Sequence, residues 1–332
     1  MKRVLIGLGV FAVSTLAWAQ PVMEAVVGNN FGHLPMIVGV EKGLFQKHGV
    51  DLKLKVVNTG TDMVNSMKAN EVQFGDMSVT TFLKARHGGA PFLAVGMIMN
   101  DATTAFADNP LAIVARKGSG ISRPEDLKGR RVGLAKEQTS DEYLKMVLAR
   151  RGMKYEDVTI ENIMAPPALG PALAEGKVDA VVSWEPYNVM AMSKAADSYE
   201  VLRGGGHLSY IMIVTVHDPM LKDNPKLIQD FVTGLAAASQ YTRQHRDEAV
   251  EIFAKWVPGT DVAIGKKSIK HIHFDPRMSK NVLQAFENAE DEVLTNTLKG
   301  APRLDVPKLF RPEFMQQVEK EHPEYFADLP KL

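Results

Sequence analysis

Polar side chains follow several predicted strands of the sequence, at the points where each strand gives way to a helix. His33 lies two residues before the first predicted helix, in a loop that also holds Asn30, while Thr59-Gly60 and Ser78 follow two later strands. Gly60 can bring backbone N–H groups close to a ligand, and a hydroxyl or an imidazole can donate to an oxyanion. The alternative interpretation is that the hydroxyls only cap helices and that the histidine lies on a surface loop.

The second half of the chain repeats this pattern with different side chains. Gln138, Thr139 and Ser140 join a predicted strand to a predicted helix, so they either contact a ligand or cap that helix. Trp184 follows a buried strand and could stack on an aromatic or alkyl group. Glu185 could pair with an amine, hydrogen-bond a ring nitrogen, or be neutralised by a nearby Lys or Arg. The candidate ligand-binding residues are Asn30, His33, Thr59, Gly60, Ser78, Gln138, Thr139, Ser140, Trp184, Glu185 and Tyr210.

Several familiar kinds of catalytic and metal site are missing from the sequence. The chain has no Cys, which excludes disulfides, thiolate nucleophiles, Cys-ligated zinc and iron–sulfur clusters. His271 and His273 could share a strand face as metal ligands, but no third ligand is near them in sequence. Gly204-Gly205-Gly206 lacks the Lys-Ser/Thr ending of a P-loop, and neither a nucleophile elbow nor an HExxH motif is present. We therefore expect no catalytic residue, no metal and no cofactor.

The start of the chain has the composition of a secretory signal. Lys2 and Arg3 precede an uncharged apolar run over 4–16, and Ala17-Trp18-Ala19 precedes Gln20, so cleavage after Ala19 is expected. The apolar run is shorter than the roughly 20 residues that a membrane-spanning helix needs. Since no Cys follows the signal to carry a lipid, we expect a protein released into the periplasm of a Gram-negative bacterium.

The charge balance gives no reason to expect nucleic acid as a partner. The chain has 39 basic and 39 acidic residues, and loss of Lys2 and Arg3 with the signal leaves 39 − 2 = 37 basic residues and a net charge of about −2. A nearly neutral chain without a basic block lacks the electrostatic signature of a nucleic-acid-binding protein. The length of 332 residues suits two domains, and a hydrophobic content of 45% lets both bury a core.

Strand-like and helix-like runs alternate along the chain in the rhythm of an α/β protein. A helix is predicted from Pro35 to about His48, followed by a strand over 50–57 in which apolar residues and lysines alternate. Beyond Asp218 three helices are predicted over 225–245, 246–256 and 278–298. This pattern predicts mostly parallel sheets flanked by helices.

Two extended apolar runs, 111–115 and 210–216, enclose a middle series of α/β units. We interpret them as the strands by which the chain crosses between two lobes, with Tyr210 beside the return crossing. The expected division assigns 20–113 to the first part of lobe I and 114–213 to lobe II. Residues 214–332 then return to lobe I and add the C-terminal helices.

An ordered series of short segments runs through the chain. Its members are Pro35, Gly43-Leu44-Phe45, Gly49-Val50-Asp51, Gly60, Phe74-Gly75-Asp76, Gly118-Ser119-Gly120-Ile121, the segments 126–132 and 172–180, and Glu185-Pro186. In this order they resemble the periplasmic solute-binding proteins of ABC importers, in the branch that takes sulfonates, taurine and nitrate and is related to thiamine-pyrimidine binders. The resemblance covers residues 22 to about 216 well and the helical tail only in general character.

The resemblance implies a type II periplasmic binding protein, with two α/β lobes joined by two extended crossings that close on one small molecule. The implied ligand is an organic anion or zwitterion such as a sulfonate, taurine, nitrate or a carboxylate, and an aromatic acid or thiamine-type pyrimidine is the alternative. The implied partners of this monomer are the membrane permease of an ABC importer and its ATPase, or instead a signalling receptor. Enzymes that share the fold, the thiamine-pyrimidine synthases, carry a Cys-rich iron motif that is absent here.

Overall fold

The computed structural model describes residues 22–332, and the predicted signal segment lies outside the described residues. Within this range the strands form two sheets of five strands each. The strands are β1 (Val22–Gly28), β2 (Asp51–Val57), β3 (Phe74–Ser78), β4 (Phe92–Met99), β5 (Leu111–Ala115), β6 (Arg131–Leu134), β7 (Thr159–Asn162), β8 (Ala180–Trp184), β9 (Tyr199–Arg203) and β10 (Met212–His217).

Each sheet has one strand that runs against the other four. The first sheet has the order β2-β1-β3-β10-β4, in which β1 is parallel to β2 and β3, and β10 is antiparallel to β3 and β4. The second sheet has the order β7-β6-β8-β5-β9, with β5 antiparallel to both neighbours. The reversed strand is in both cases the first strand that the chain forms after leaving the other sheet. The predicted α/β class with two mostly parallel sheets is confirmed.

The strand pairing also locates the passage of the chain between the sheets. β5 pairs with β8 from Leu111 to Ala115, and β10 pairs with β3 from Met212. The predicted boundaries after residues 113 and 213 therefore cut through two sheet strands, and the connections lie instead within 100–110 and 204–211. The apolar runs misled the prediction because a strand that is buried on both faces has the same unbroken apolar sequence as an extended crossing would.

Helices cover both sheets. They are α1 (Leu34–Glu41), α2 (Leu44–Lys47), α3 (Gly60–Lys68), α4 (Val79–His87), α5 (Thr139–Ala149), α6 (Leu169–Ala174), α7 (Tyr187–Lys194), α8 (Asp218–Asp223), α9 (Pro225–Gln244), α10 (Arg246–Trp256), α11 (Val262–Ser268), α12 (Lys280–Asn296), α13 (Val306–Leu309) and α14 (Glu313–Glu321). The three predicted C-terminal helices correspond to α9, α10 and α12 and are confirmed.

The single helix predicted over 35–48 is wrong, because Gly43 interrupts it. Gly43 has a φ of +63°, a left-handed conformation that ends α1 and separates it from α2. Phe45 on α2 then stacks on Phe231 of α9, whose ring lies 3.9 Å from that of Phe74 on β3. This aromatic stack ties the α1–α2 pair to the first sheet, and it thereby fixes the N-terminus of α1.

Candidate functional site

A cavity lies between the carboxyl ends of the two sheets. Its first wall follows β1, β2 and β3, and its second wall follows β6, β7 and β8. The lining residues are Gly28, Asn30, His33, Asn58, Thr59, Gly60, Met63, Ser78, Thr81, Ala135, Gln138, Thr139, Met164, Pro166, Trp184, Tyr210 and Met212. Every predicted ligand-binding residue except Ser140 and Glu185 is among them. Segments that are far apart in sequence therefore meet at this cavity, because the carboxyl ends of parallel strands lie at the same edge of a sheet.

Three helices begin at this cavity and direct their N-termini towards it. Thr59 caps α3, since its Oγ1 accepts from the Asp62 N–H at 3.1 Å, and Ser78 caps α4 by accepting from the Thr81 N–H at 3.2 Å. Both hydroxyls thus serve as caps while they also line the cavity. The positive ends of these helices, with that of α5 opposite, create a favourable environment for an anion.

The N-terminus of α5 differs from the other two because its cap position makes no side-chain bond. Gln138 is the N-cap residue of α5, but its side chain does not accept from the helix. Within the described part of the chain, neither the Gln138 amide nor the Thr139 hydroxyl has a hydrogen-bond partner. These two side chains are therefore available to a ligand.

A buried histidine and carboxylate form the floor of the first wall. His33 Nδ1 lies 2.7 Å from Asp76 Oδ2, and both side chains are almost completely buried. Burial raises the pKa of Asp76, and the neighbouring His33 opposes this shift. The ring also packs over Gly28, where a Cβ atom would lie 2.3 Å from His33 Nε2. Asp76 and Gly28 thus fix the imidazole from two sides.

Aromatic and thioether groups supply the apolar part of the lining. Trp184 meets the Tyr187 ring edge-on with centroids 6.1 Å apart, and its Nε1–H is buried without a hydrogen-bond partner among residues 22–332. Tyr210 is buried beside Asp76, and burial raises the pKa of its hydroxyl. Met164 is 52% exposed at the edge of the cavity, where its thioether can contact a ligand.

Ser140 and Glu185 are the predicted site residues that the structure does not bring to the cavity. Ser140 is buried on the inner face of α5, where its hydroxyl donates to the Ala135 carbonyl at 3.3 Å. Glu185 is 1% exposed, and its Oε1 lies 2.7 Å from Arg203 Nη2. Burial raises the pKa of Glu185 and Arg203 opposes that shift. Of the interpretations open for Glu185, the geometry matches neutralisation by a nearby cation.

Sequence reasoning missed several lining residues. Met63, Met164 and Met212 belong to a residue type that usually fills cores, so their sequence positions carried no signal. Asp76, which contacts His33 without lining the cavity, stood inside a motif that was noted for the resemblance, and a carboxylate within an otherwise apolar strand was the available clue. Among residues 22–332, no group of three metal-ligating side chains is assembled, and no helix is both long and apolar enough to span a bilayer.

The family of the chain follows from its sequence and agrees with this architecture. A family model described as NMT1/THI5 like matches residues 30–249, which is more than half of the chain. The chain belongs to the NMT1/THI5-like family. A protein of Escherichia coli (strain K12), provisionally named an aliphatic sulfonates-binding protein, is 25% identical to this NMT1/THI5-like chain over 254 residues, 74% of this chain and 76% of that protein.

Solved structures share the fold of this NMT1/THI5-like protein. The periplasmic aliphatic sulphonate binding protein SsuA from Escherichia coli matches it with a TM-score of 0.74 at 19% identity, over 88% of this chain and 97% of that one. The desulfurization enzyme DSZB matches with a TM-score of 0.68 at 16% identity, over 91% of this chain and 99% of that one. The fold is therefore that of the periplasmic binding proteins, and the same fold also serves an enzyme.

Proposed function

We propose that this protein is the periplasmic substrate-binding component of an ABC importer, and that it captures a small organic anion between two lobes that close on it. The observation that carries the proposal is the convergence of the α3, α4 and α5 N-termini on one cavity between the sheets. The similarity to sulfonate-binding proteins in sequence and fold supports this assignment.

Closure would supply the binding energy. The first wall offers capped helix ends and the fixed His33, whereas Gln138 and Thr139 lie on the second wall. Only the closed form presents both sets of donors to one ligand, and water is expelled as they meet. Hydrogen bonds in such an enclosed site are stronger than in water. The ligand would therefore stabilise the closed form, which is the form that a membrane permease could distinguish from the empty protein.

The lining favours an anion with an apolar body over a zwitterion or an inorganic ion. No Asp or Glu is among the lining residues, so the ammonium group of a compound such as taurine would meet no carboxylate. The one acidic candidate, Glu185, is occupied by Arg203. Trp184, Met63, Met164 and Met212 would instead pack against an alkyl or aryl group. We infer an alkyl or aryl sulfonate, or a similar carboxylate.

Binding without chemical conversion is supported by the hydrogen bonds of Ser78, a serine that lines the cavity. A nucleophilic serine requires a hydrogen bond to its base. Ser78 Oγ instead donates to Thr81 Oγ1 at 2.9 Å and caps α4, and no hydrogen bond joins it to His33 in the part of the chain that the structure describes. The His33–Asp76 pair would therefore orient the imidazole towards a ligand.

A thermal-shift screen of refolded, ligand-stripped protein tests the proposal. The panel comprises alkyl and aryl sulfonates, aromatic carboxylates, taurine, nitrate and a thiamine-type pyrimidine. A ligand at 100 times its dissociation constant should stabilise the folded state by about 2.7 kcal/mol. We expect alkyl or aryl sulfonates to respond and taurine and nitrate to respond weakly or not at all.

Two variants make the screen specific for the cavity. Trp184→Ala should reduce the affinity for an aryl sulfonate about tenfold to 100-fold, because stacking and burial of such a ring contribute about 1–3 kcal/mol. Tyr199→Ala, at an exposed aromatic residue on β9 outside the cavity lining, is the matched control and should bind normally. If folded, ligand-free protein showed no thermal shift with any compound of the panel, the proposed ligand class would be contradicted.

A further inference from the structure

An ion pair joins the two halves of the molecule beside the cavity. Lys84 on α4, which follows the first sheet, pairs with Glu142 on α5, which belongs to the second. The Glu142 side chain is only 6% exposed and that of Lys84 is 27% exposed. Both residues line a second cavity that shares Gln138 and Thr139 with the ligand cavity. The pair therefore spans the cleft close to the proposed ligand.

A second carboxylate is buried near this ion pair. Glu292 on α12 is 8% exposed, and α12 packs on α4. About one turn beyond Glu292, Asn296 Nδ2 donates to Met146 Sδ on α5 at 3.5 Å, so α12 also contacts the second half. Oε2 of Glu292 and Oε2 of Glu142 are both buried and have no hydrogen-bond partner within residues 22–332. Each of these two buried carboxylates leaves one oxygen without a hydrogen bond. Ionising both costs free energy, because each ion loses its hydration and repels the other.

The groups around Glu292 determine how readily this carboxylate takes up a proton. Burial, together with the negative charges of Glu142 and Asp108, raises the pKa of Glu292 to about 8. The Ser209 backbone N–H and the charge of Arg150 act in the opposite direction. Glu142 and Arg150 belong to the second half of the molecule, whereas Asp108 and Ser209 lie in the two connections.

Several charged groups on the neighbouring helices are already paired. On α4, Lys84 contacts Glu142, and His87 Nε2 lies 3.0 Å from Glu290 Oε1 on α12. On α12, the exposed Asp291 pairs with a cation outside the helix, Arg303. Glu292 itself has no ion-pair partner within residues 22–332.

We propose, on the basis of the lobe closure proposed above, that Glu292, Glu142 and Lys84 form a latch that couples closure of the two lobes to the uptake of one proton. When the lobes separate, α5 leaves α12 and Glu292 meets water as an ordinary ionised glutamate. When they close, Glu292 becomes protonated, so that Glu142 keeps Lys84 as its partner without repulsion from a second charge. In this latch Glu292 acts through Glu142 and touches no ligand.

The direction of the pH effect follows from proton linkage. The closed form binds one proton more than the open form wherever Glu292 is protonated only when closed, so acid favours closure. Between the ordinary glutamate pKa of 4.5 and about 8, the ratio of closed to open protein should fall by up to about tenfold per pH unit. Above that range the ratio should become constant.

The absence of Cys from the chain allows a direct test. Ala69→Cys and Ala149→Cys place unique spin labels at exposed positions after α3 and at the end of α5, one in each half. Pulsed electron paramagnetic resonance then measures the distance between the labels from pH 5 to pH 9. We expect the shorter distance to lose population as the pH rises to about 8, and no further change above it.

Three further substitutions in the labelled protein separate the latch from a general pH effect. Glu292→Gln should abolish the pH dependence, and Glu142→Gln should move it to lower pH because it removes one negative neighbour. Asp291→Asn is the matched control on the same helix and should leave the dependence unchanged. A distance that does not vary with pH in the parent protein, or that varies equally in Glu292→Gln, would overturn the proposal. Thermal unfolding at each pH verifies that every variant is folded.

Discussion

The two walls of the cavity differ in how far their polar groups are satisfied before any ligand arrives. On the first wall His33 contacts a buried carboxylate, and Thr59 and Ser78 cap their helices. On the second wall Gln138 and Thr139 have free side chains in the described structure, beside a half-exposed Trp184. The first wall is therefore preorganised, whereas the polar side chains of the second are left available for the proposed ligand. A site of this kind can hold the ligand loosely when open and tightly when closed.

Gly28→Ala should have the largest effect, because it disturbs the preorganised wall. The added Cβ would lie 2.3 Å from His33 Nε2 and 2.8 Å from Met63 Cε, while Asp76 holds the ring from the other side. Overpacking of this kind costs about 1–3 kcal/mol, and displacement of His33 should weaken ligand binding by about tenfold or more. Urea unfolding and the thermal shift with a responding ligand measure the two effects.

The matched control for this substitution is Gly88→Ala, at the end of α4. There the nearest atom to an added Cβ is the Ala85 carbonyl oxygen at 3.4 Å, an ordinary contact. Stability and binding should both stay close to those of the parent protein. If Gly28→Ala also bound its ligand normally, the first wall would be adaptable and the contrast between the walls would be lost.

Two carboxylates, one in each half of the molecule, should respond to pH in opposite directions: Asp76 contacts His33 in the first wall, and Asp179 lies just before β8, at the edge of the second sheet away from the cavity. On the second-sheet side, hydrogen bonds from Arg131 lower the pKa of Asp179 to about 2. Ionised Asp179 therefore stabilises the folded state. This contribution is complete above the ordinary aspartate pKa of 3.8 and is lost as the pH falls through about 2. Asp179→Asn should therefore cost about 2 kcal/mol at neutral pH and almost nothing near its own folded-state pKa.

Asp76 provides the contrast to Asp179. Its raised pKa means that folding disfavours the ionised form, so its cost to stability grows as the pH rises above the ordinary aspartate range. Relative to the parent protein, Asp76→Asn should gain stability with rising pH where Asp179→Asn loses it. Urea unfolding of both variants across the acid range measures the two slopes, and slopes of the same sign would contradict the assignment.

A pair of threonine substitutions gives the smallest and most selective effect. Thr59→Val removes the cap of α3 and should cost about 0.5–2 kcal/mol of stability, with or without ligand. Thr139→Val removes a hydroxyl that makes no bond within the described protein, so stability should hold while ligand affinity falls a few-fold. Calorimetric unfolding and titration of the two variants compare the walls directly. Equal losses of stability would show that Thr139 is structural as well.

The sequence predicted the residues of the cleft well wherever their position depends only on a short stretch of the chain. The loop before Pro35 and the strand–helix junctions at Thr59, Ser78 and Gln138 could be identified because a strand end followed by a helix start is readable from a short window. Such junctions gather at one edge of a parallel sheet whatever the rest of the fold does. This is why most candidates meet at one cavity.

The predicted site residues that do not reach the cavity miss it for different reasons. Glu185 does not line the cavity because it pairs with Arg203 on β9. That pairing depends on β9 lying beside β5, which local sequence does not reveal. Ser140 is one residue beyond Thr139, and that single step around α5 turns its hydroxyl inward to Ala135. Met164 is exposed because the loop after β7 carries it to the cavity edge, which composition alone does not reveal.

The position of β10 has a consequence for the biogenesis of the chain. β10 lies between β3 and β4, yet it begins at Met212, 212 − 99 = 113 residues after the end of β4 at Met99. The first sheet therefore cannot be completed until the whole second sheet has been made, and such long-range pairing slows folding. A chain that stops before Met212 would accordingly leave β3 and β4 without the strand that pairs with both, so the first sheet stays incomplete while the second is already fully synthesised.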